Sequence, residues 1–149
     1  MNSAWLWAGM ILGTLLGAGC EYARADELWI SPGAVSQHNR GGYQQTNKGI
    51  GLEYRTGDYG VIAGEYDNSI HRTTHYALGM YQPWSIGPVR VGFAAGVVDG
   101  YRIRAGKPFP AIVPMMSYNY GRVGVNVTAI PPIEKGTWVI AAQFKLQIF

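Results

Sequence analysis

The sequence predicts an all-β fold, an eight-stranded antiparallel transmembrane β-barrel that follows a cleaved signal peptide. Three observations predict it. Apolar residues alternate with polar or small ones along most of the chain after residue 25. Gly, Pro, Asn and Asp interrupt this alternation at short intervals, as turns do. No apolar run in the same region is long enough to form a membrane-spanning helix.

Residues 1–25 are predicted to be the signal peptide, and residues 26–149 a single barrel domain. The stretch from Trp5 to Gly19 carries no charge and has the length of a signal-peptide core. Ala23 and Ala25 supply the small residues that a cleavage site requires. Two alternatives stay open, an uncleaved N-terminal membrane anchor and lipoprotein processing at Cys20. Cys20 is the only cysteine, so cleavage after Ala25 leaves no disulfide.

Eight segments after the signal peptide have the alternation of β-strands, and each is near the roughly 9–11 residues that a tilted membrane strand needs. The predicted strands are Leu28–His38, Lys48–Arg55, Tyr59–Tyr66, His75–Gln82, Val89–Asp99, Phe109–Tyr118, Arg122–Ile130 and Trp138–Phe149.

The two faces of these strands differ in character. In the fifth strand one face carries Val89, Phe93 and Val97, whereas the opposite face carries Arg90 and small residues. A soluble lipocalin-like barrel needs a polar exterior, and an outer-membrane barrel needs an apolar one. The second face is too polar and its side chains are too small for it to be the outside of a soluble barrel. We therefore expect the apolar face to point outward and to contact lipid in the cell outer membrane. A soluble lipocalin-like binder is the less favoured alternative.

Three tryptophans near strand ends, Trp29, Trp84 and Trp138, suit the aromatic girdles of such a barrel, and ordinary packing within the β-sheet is the alternative for each. The formal net charge is +3 with no basic run, which favours attraction to anionic lipid over nucleic-acid binding. The three histidines lack a metal-ligand pattern. We therefore expect no metal, no cofactor, no nucleic acid and a monomeric protein.

Prolines concentrate in and after the sixth predicted strand. Pro108, Pro110 and Pro114 lie in or beside it, and Pro131-Pro132 ends the next strand. Because proline cannot donate to a β-ladder, hydrogen bonding between these strands should be locally interrupted. In a closed membrane barrel such a gap would admit a lipid chain sideways. The alternative is a long surface loop with turn prolines.

The segment from Pro108 to Pro131 resembles the lipid A palmitoyltransferases of the outer membrane of Gram-negative bacteria. Gly92–Val97 is similar to the fifth strand of that family. The resemblance implies an acyltransferase that moves a palmitoyl or similar chain from a phospholipid to lipid A, with membrane lipids as its partners. The residues that match the sixth and seventh strands of the family are Pro108, Pro110, Pro114, Ser117, Tyr120, Gly121, Val123, Thr128, Ile130 and Pro131.

The functional residues of that family are a His, an Asp and a Ser on extracellular loops. His38 stands at a place similar to that of the family His. Two registers remain open for the Asp-Ser pair. Placing Asn68-Ser69 there keeps the serine and replaces the carboxylate by an amide, whereas placing Asp67-Asn68 there loses the serine. We prefer the first, which keeps a hydroxyl near the basic Arg72 without a gap.

Acyl transfer needs a base and groups that hold the developing oxyanion. The resemblance assigns His38 as the base and Ser69 with Asn68 as oxyanion or positioning groups, and Asp67 is an adjacent acidic partner. His71 and His75 are rivals to His38. From residue types alone, the Asp-Asn-Ser segment is a turn.

A glycine in the fourth strand sets the bottom of the hydrocarbon pocket in the family, and the matching position is Gly79 or Met80. Alternation favours an inward Gly79, and an inward Met80 predicts a shorter acyl chain, because each blocked methylene forfeits about 0.8 kcal/mol of burial. The predicted substrate contacts are Arg72, Gly79, Met80, Pro110, Pro114 and Pro131.

A non-catalytic outer-membrane barrel with a structural, lipid-binding or surface-modifying role is the alternative function. Two departures from the family pattern motivate it. An amide replaces the carboxylate at Asn68, and the chain shows no amphipathic helix before the first strand, since Asp26 leads almost directly into Leu28.

Overall fold

The computed structural model describes residues 26–132 and 136–149. Eight antiparallel strands close into a barrel in chain order, with β1 paired to β8. This confirms the predicted eight-stranded antiparallel barrel, while the predicted signal peptide and Cys20 lie outside the described residues. A short 3-10 helix, Arg102–Arg104, lies between β5 and β6. The strands are β1 Glu27–His38, β2 Thr46–Thr56, β3 Tyr59–Asp67, β4 Thr73–Ile86, β5 Val89–Val98, β6 Phe109–Tyr120, β7 Val123–Ile130 and β8 Val139–Gln147.

The two ends of the barrel are built differently. At one end, here called the turn end, two-residue turns join the strands at 57–58, 87–88 and 121–122. Gly87 and Gly121 both have φ of 58°, and a Cβ at either would meet nothing within 4 Å, so conformation rather than space requires glycine there. At the opposite loop end, longer connections cover residues 39–45, 68–72, 99–108 and 131–138.

Large apolar side chains cover the outer face of the barrel. The predicted outward faces of β5, β7 and β8 are confirmed by the exposure of Phe93, Val123 and Phe144. Other exposed apolar side chains on the outer face are Val35, Ile50, Leu52, Trp84, Val97, Ile112, Met116, Ile140 and Leu146. No helix among the described residues combines the length and apolar character that crossing a membrane requires.

The tryptophans divide between the two faces. Trp84 and Trp138 are more than half exposed, as the girdle prediction requires. Trp29 is 1% exposed and lies inside the barrel, so the prediction for this residue is wrong. Its Nε1 donates to the Glu27 carboxylate over 2.8 Å, and the Lys145 ammonium lies 4.7 Å from its ring centroid. The cation over the ring face compensates for burying a large aromatic among polar neighbours.

The ladder between β6 and β7 is incomplete. Pairing runs from Tyr120 with Val123 only to Met115 with Thr128. By contrast, β6 pairs with β5 from Phe109 to Tyr118, through both strand prolines. Thr128 Oγ1 donates to the Pro114 carbonyl over 2.7 Å, so the proline edge faces β7. The predicted interruption is confirmed, and the surface-loop alternative is wrong for Pro110 and Pro114. We call this unpaired region, residues 109–114 opposite 129–130, the split.

In β4, the residues that point into the barrel are the opposite set from the one predicted. Gly79 is exposed on the outer face, whereas Met80 is 3% exposed and points inward, so the inward Gly79 is wrong. The neighbours of Met80 explain this result. It pairs with Ala94 on β5 and with Gly60 on β3, and a Cβ at Gly60 would lie 2.7 Å from Met80 Cε. Two small residues therefore leave the space that the methionine fills.

Halfway along the barrel, Met80 forms an apolar layer with Ile62, Ala94 and Met115, here called the floor. Partly buried hydrophobic residues pack against it from the loop side, among them Leu78 and Val113. The floor separates two halves of the interior that have different chemistry.

The turn half of the interior is filled by a buried set of hydrogen-bonded polar side chains, here called the polar network. The Glu53 carboxylate accepts from Lys145 over 2.6 Å, from Asn126 over 2.6 Å and from Arg55 over 3.3 Å. Arg55 and Ser117 both donate to the amide oxygen of Gln82. Because buried charges are costly without partners, this mutual pairing is what permits them. The network comprises Glu53, Arg55, Gln82, Ser117, Asn126 and Lys145.

Candidate functional site

The loop half of the interior holds a cavity of about 170 Å³, counted as the space open to the centres of water-sized molecules. We call it the chamber. Ile62, Leu78 and Met115 line its lower part. Both edges of the split also line it, Ala111 on β6 and Ile130 on β7. A mainly apolar cavity that reaches an unpaired edge of the barrel is suited to an elongated apolar ligand.

The glycines of the strands next to the chamber do not explain why it is hollow. The inward Gly51 and Gly64 leave no void, because the Tyr76 hydroxyl occupies the space beside both. At Gly92 and Gly96 an added Cβ would collide with the backbone of β4, so these glycines permit close strand approach. The small side chains that line the chamber are Ala34, Ser36, Ala111 and Ala141.

His38, the last residue of β1, lines the chamber and is 7% exposed. Its ring stacks on Tyr43, with centroids 4.7 Å apart and planes 11° from parallel. Its Nδ1 is buried and has no hydrogen-bond partner. Leaving such an atom unpaired costs about 1–3 kcal/mol, and an unsatisfied buried group of this kind is typical of functional positions.

The loops around His38 are fastened to one another. Tyr43, whose ring covers His38, has its hydroxyl 3.3 Å from Thr137 Oγ1. In the same loop the Gln44 backbone N–H donates to the Ser69 carbonyl over 3.2 Å. Ser69 also lines the chamber. The structure thus brings two of the predicted catalytic residues, His38 and Ser69, to the mouth of one cavity.

Asn68 does not contribute to that cavity. It is fully buried, and its amide nitrogen donates to Thr74 Oγ1 over 3.0 Å and to the Gly100 carbonyl over 3.2 Å. Its amide oxygen accepts the backbone N–H groups of Ile70 and Arg72, both over 3.0 Å. Both donors and both acceptor positions are therefore used. Asn68 therefore has no free group for an oxyanion in this structure, and it holds the 68–72 loop, which carries Ser69, in shape. This arrangement fits the positioning role that was the other expectation for Asn68, and its part in catalysis stays a prediction.

Asp67 and Arg72 also lie away from the chamber lining. Asp67 is exposed at the end of β3, on the face opposite the inward Tyr66, and its carbonyl accepts from Asn47 over 2.8 Å. Arg72 is exposed on the 68–72 loop. No carboxylate is among the described residues that line the chamber. The structure therefore does not place Asp67 as the acidic partner of His38.

The rival histidines occupy other surfaces. His75 lies on the outer face of β4, where Nδ1 is 3.1 Å from Asp99 and Nε2 is 3.5 Å from Glu65. His71 is exposed on the 68–72 loop with φ of 59°. Neither lines the chamber. Among residues 26–132 and 136–149 no cluster of His, Cys, Asp and Glu is arranged to hold a metal ion.

The remaining predicted substrate contacts lie around the chamber at different depths. Met80 lies in the floor beneath it. Pro131 lines its upper part. Pro110 and Pro114 are exposed along the split and do not line the chamber. Gly79 faces outward and contacts no interior ligand.

Four tyrosines that line the chamber, Tyr43, Tyr66, Tyr76 and Tyr101, were not predicted as site residues. Tyr66 and Tyr101 join their hydroxyls over 2.8 Å, and Tyr76 accepts from Gln143 over 2.9 Å. The alternation of β3 was sufficient to predict that Tyr66 shares a face with Ile62. Tyr101 lies in a loop, where no periodicity indicates which way a side chain points.

No model of a known protein family matches this chain, and no curated protein is similar to it.

Proposed function

We propose that this protein is an outer-membrane acyltransferase that takes a palmitoyl or similar chain from a phospholipid and transfers it to lipid A. The observation that carries the proposal is the chamber. It is mainly apolar, it reaches the split in the barrel wall, and both His38 and Ser69 line it at the loop end. The apolar outer face supports a location in a membrane.

The split offers an acyl chain a path through the barrel wall, and the chamber offers it a binding cavity. A lipid chain that passes between residues 109–114 and 129–130 reaches the cavity without crossing the polar loop end. The chain then extends toward the floor, and its ester lies at the level of His38. Water is largely excluded from an apolar chamber of this kind, which strengthens polar interactions at the reacting ester.

His38 is the proposed general base. The acceptor hydroxyl of lipid A gives its proton to the imidazole while its oxygen attacks the ester carbonyl carbon. The Ser69 hydroxyl donates a hydrogen bond to the resulting oxyanion. The intermediate then breaks the bond from that carbon to the glycerol oxygen, which takes the proton from the imidazolium. The products are acylated lipid A and a lysophospholipid.

Tyr43 supplies one part of what a carboxylate supplies in other histidine sites, the orientation of the imidazole ring. A general base has to be held in a fixed orientation, and a hydrogen-bonded carboxylate commonly does this. Here the chamber lining holds no carboxylate, and the nearly parallel stack on Tyr43 fixes the plane of the His38 ring. Tyr43 is itself held near Thr137 by their hydroxyl contact.

The test is mass spectrometry of lipid A from a Gram-negative host that lacks this activity and expresses the protein. We expect added mass equal to one acyl chain, and its loss in His38→Ala. In Ser69→Ala the product should fall by about 100-fold, the effect typical of removing one oxyanion donor. No added mass under conditions that permit transfer would overturn the proposal.

Matched controls come from outside the chamber. His75→Gln changes a histidine on the outer face, and Ser85→Ala changes an exposed serine near the turn end. Both should retain the product of the unmodified protein. Heat-modifiable migration of every variant on gels checks that the barrel has folded, so that a loss of product reports chemistry.

A non-catalytic lipid-binding barrel is the second candidate. The observation that favours it is the lack of a carboxylate in the chamber lining, together with the saturation of Asn68 by loop hydrogen bonds. It predicts that purified protein binds a fatty acid while host lipid A stays unchanged, and that His38→Ala preserves both binding and the biological effect.

A further inference from the structure

A second cavity, of about 290 Å³, lies at the loop end and adjoins the chamber. We call it the vestibule. Tyr43, Ser69 and Ile70 line both cavities, so the two share a boundary. The rest of the vestibule lining is Gly41, Gly42, His71 and Arg102. It carries one guanidinium and one imidazole and no carboxylate, which is a composition suited to an anion.

Two glycines leave the wall of the vestibule unobstructed. A Cβ at Gly41 or at Gly42 would meet nothing within 4 Å, and Gly42 has φ of 89°. The space where a side chain would stand at each position is therefore open. Backbone N–H groups that an anion can approach closely are a common part of phosphate sites.

Further positive charge surrounds the vestibule. Arg72 leans toward the 99–108 loop, since its Nη1 is 3.9 Å from the position of a Cβ on Gly106. The only acidic residue in the described parts of the four loops is Asp99, which is engaged by His75. The cationic residues of these loops are Arg40, Arg72, Arg102, Arg104 and Lys107.

The order of chemistry along the barrel matches the order of parts in a phospholipid. The apolar chamber comes first, the His38 and Ser69 side chains follow at its mouth, and the cationic vestibule lies beyond them. We propose that the vestibule binds the phosphate group of a lipid whose acyl chain occupies the chamber, with Arg102 as its main side-chain contact. This inference rests on the proposed function, because it names the headgroup chemistry recognised at the same site.

The experiment measures binding directly, without acyl transfer. Folded protein in an alkyl maltoside, which carries no phosphate, is titrated by calorimetry with three probes. These are a short-chain phosphatidic acid, the diacylglycerol with the same chains, and inorganic phosphate. We expect the phosphatidic acid to bind about tenfold or more tightly than the diacylglycerol, the size of effect given by hydrogen bonds to a charged group.

Variants locate the effect. Arg102→Gln should bring the affinity for phosphatidic acid to that for diacylglycerol. Arg122→Gln removes an exposed arginine from the turn end and should leave the tenfold preference intact. The titration contains no lipid A, so a protein that transfers no acyl chain still gives a clear answer on the vestibule.

Three results would overturn the inference. Equal binding of phosphatidic acid and diacylglycerol would exclude phosphate recognition. An equal loss in Arg122→Gln and Arg102→Gln would indicate a diffuse effect of net charge. Inorganic phosphate that binds as tightly as phosphatidic acid would assign the vestibule to the free ion instead of a lipid headgroup.

Discussion

The two halves of the barrel interior differ in what surrounds their buried polar groups. In the turn half, the polar network satisfies its charges internally, with Glu53 bonded to Lys145, Asn126 and Arg55. In the loop half, His38 retains a buried nitrogen without a partner, beside a mainly apolar chamber. Buried side-chain atoms without a partner also occur towards the turn end, at Arg90 Nε and Asn119 Oδ1, but of these three residues only His38 lines the chamber, where a ligand can reach it. The comparison therefore assigns stability to one half and binding to the other.

The largest expected effect comes from breaking the polar network. Glu53→Met leaves Lys145 and Arg55 buried without their carboxylate and should lower the free energy of unfolding by about 3–5 kcal/mol. Adding Lys145→Met should recover part of that loss, because only one buried charge is then uncompensated. Urea unfolding in detergent, followed by tryptophan fluorescence, measures both.

Glu65→Gln is the control for that series. Glu65 is a glutamate on the outer face with a half-exposed side chain, 3.5 Å from His75, and its change should cost no more than about 1 kcal/mol. If Glu53→Met and Glu65→Gln lower the free energy of unfolding by the same amount, the polar network does not stabilise the fold.

An intermediate effect is expected at the floor that separates the two halves. Met80→Ala removes a buried side chain and should lower the free energy of unfolding by about 2–5 kcal/mol. It also deepens the chamber, so the transferred chain should become longer. Mass spectrometry of lipid A reads the chain length, and equilibrium unfolding reads the stability.

Gly79→Ala is the matched change on the other face of β4. A Cβ there meets only the Ala95 carbonyl, at 3.8 Å, so we expect stability and chain length to stay as they are. A shorter chain in Gly79→Ala would mean that β4 faces the other way.

The smallest effect is expected at the split. Thr128→Val removes the hydrogen bond to the Pro114 carbonyl and should cost about 1 kcal/mol while raising the rate at which a fluorescent fatty acid leaves the chamber. Thr56→Val, at an exposed strand end on β2, should change neither quantity. An unchanged release rate in Thr128→Val would argue against the split as the route for lipid.

Strand positions were predictable because their signals are local. The sixth strand was predicted at Phe109–Tyr118 and extends over Phe109–Tyr120. Its position was predictable because the alternation of its residues and the turn at Gly121 are both properties of adjacent residues. The interruption beside it was also predictable, because a missing N–H is a property of proline itself. Hydrogen-bonded registers between strands then follow from short turns.

Facing and side-chain roles were harder to predict, because they depend on residues far apart in the chain. In β4 both candidate faces contain small or apolar residues, and the small neighbours Gly60 and Ala94 turned Met80 inward. Asn68 was expected to act on substrate, yet Thr74 and Gly100 engage its amide. Nothing in the local pattern of residues 67–69 indicates those partners.

By itself, the sequence determined that this chain forms eight alternating strands at about these positions, and that proline interrupts one ladder, since these are properties of adjacent residues. The ends were less exact, because the fourth strand was predicted at His75–Gln82 and extends over Thr73–Ile86. Only the tertiary structure decided which residues share the interior. Barrel closure brought Glu53 to Lys145, placed the Tyr43 hydroxyl beside Thr137 and joined the chamber to the vestibule. Such contacts depend on which distant strands and loops meet, and alternation within a strand carries no information about that.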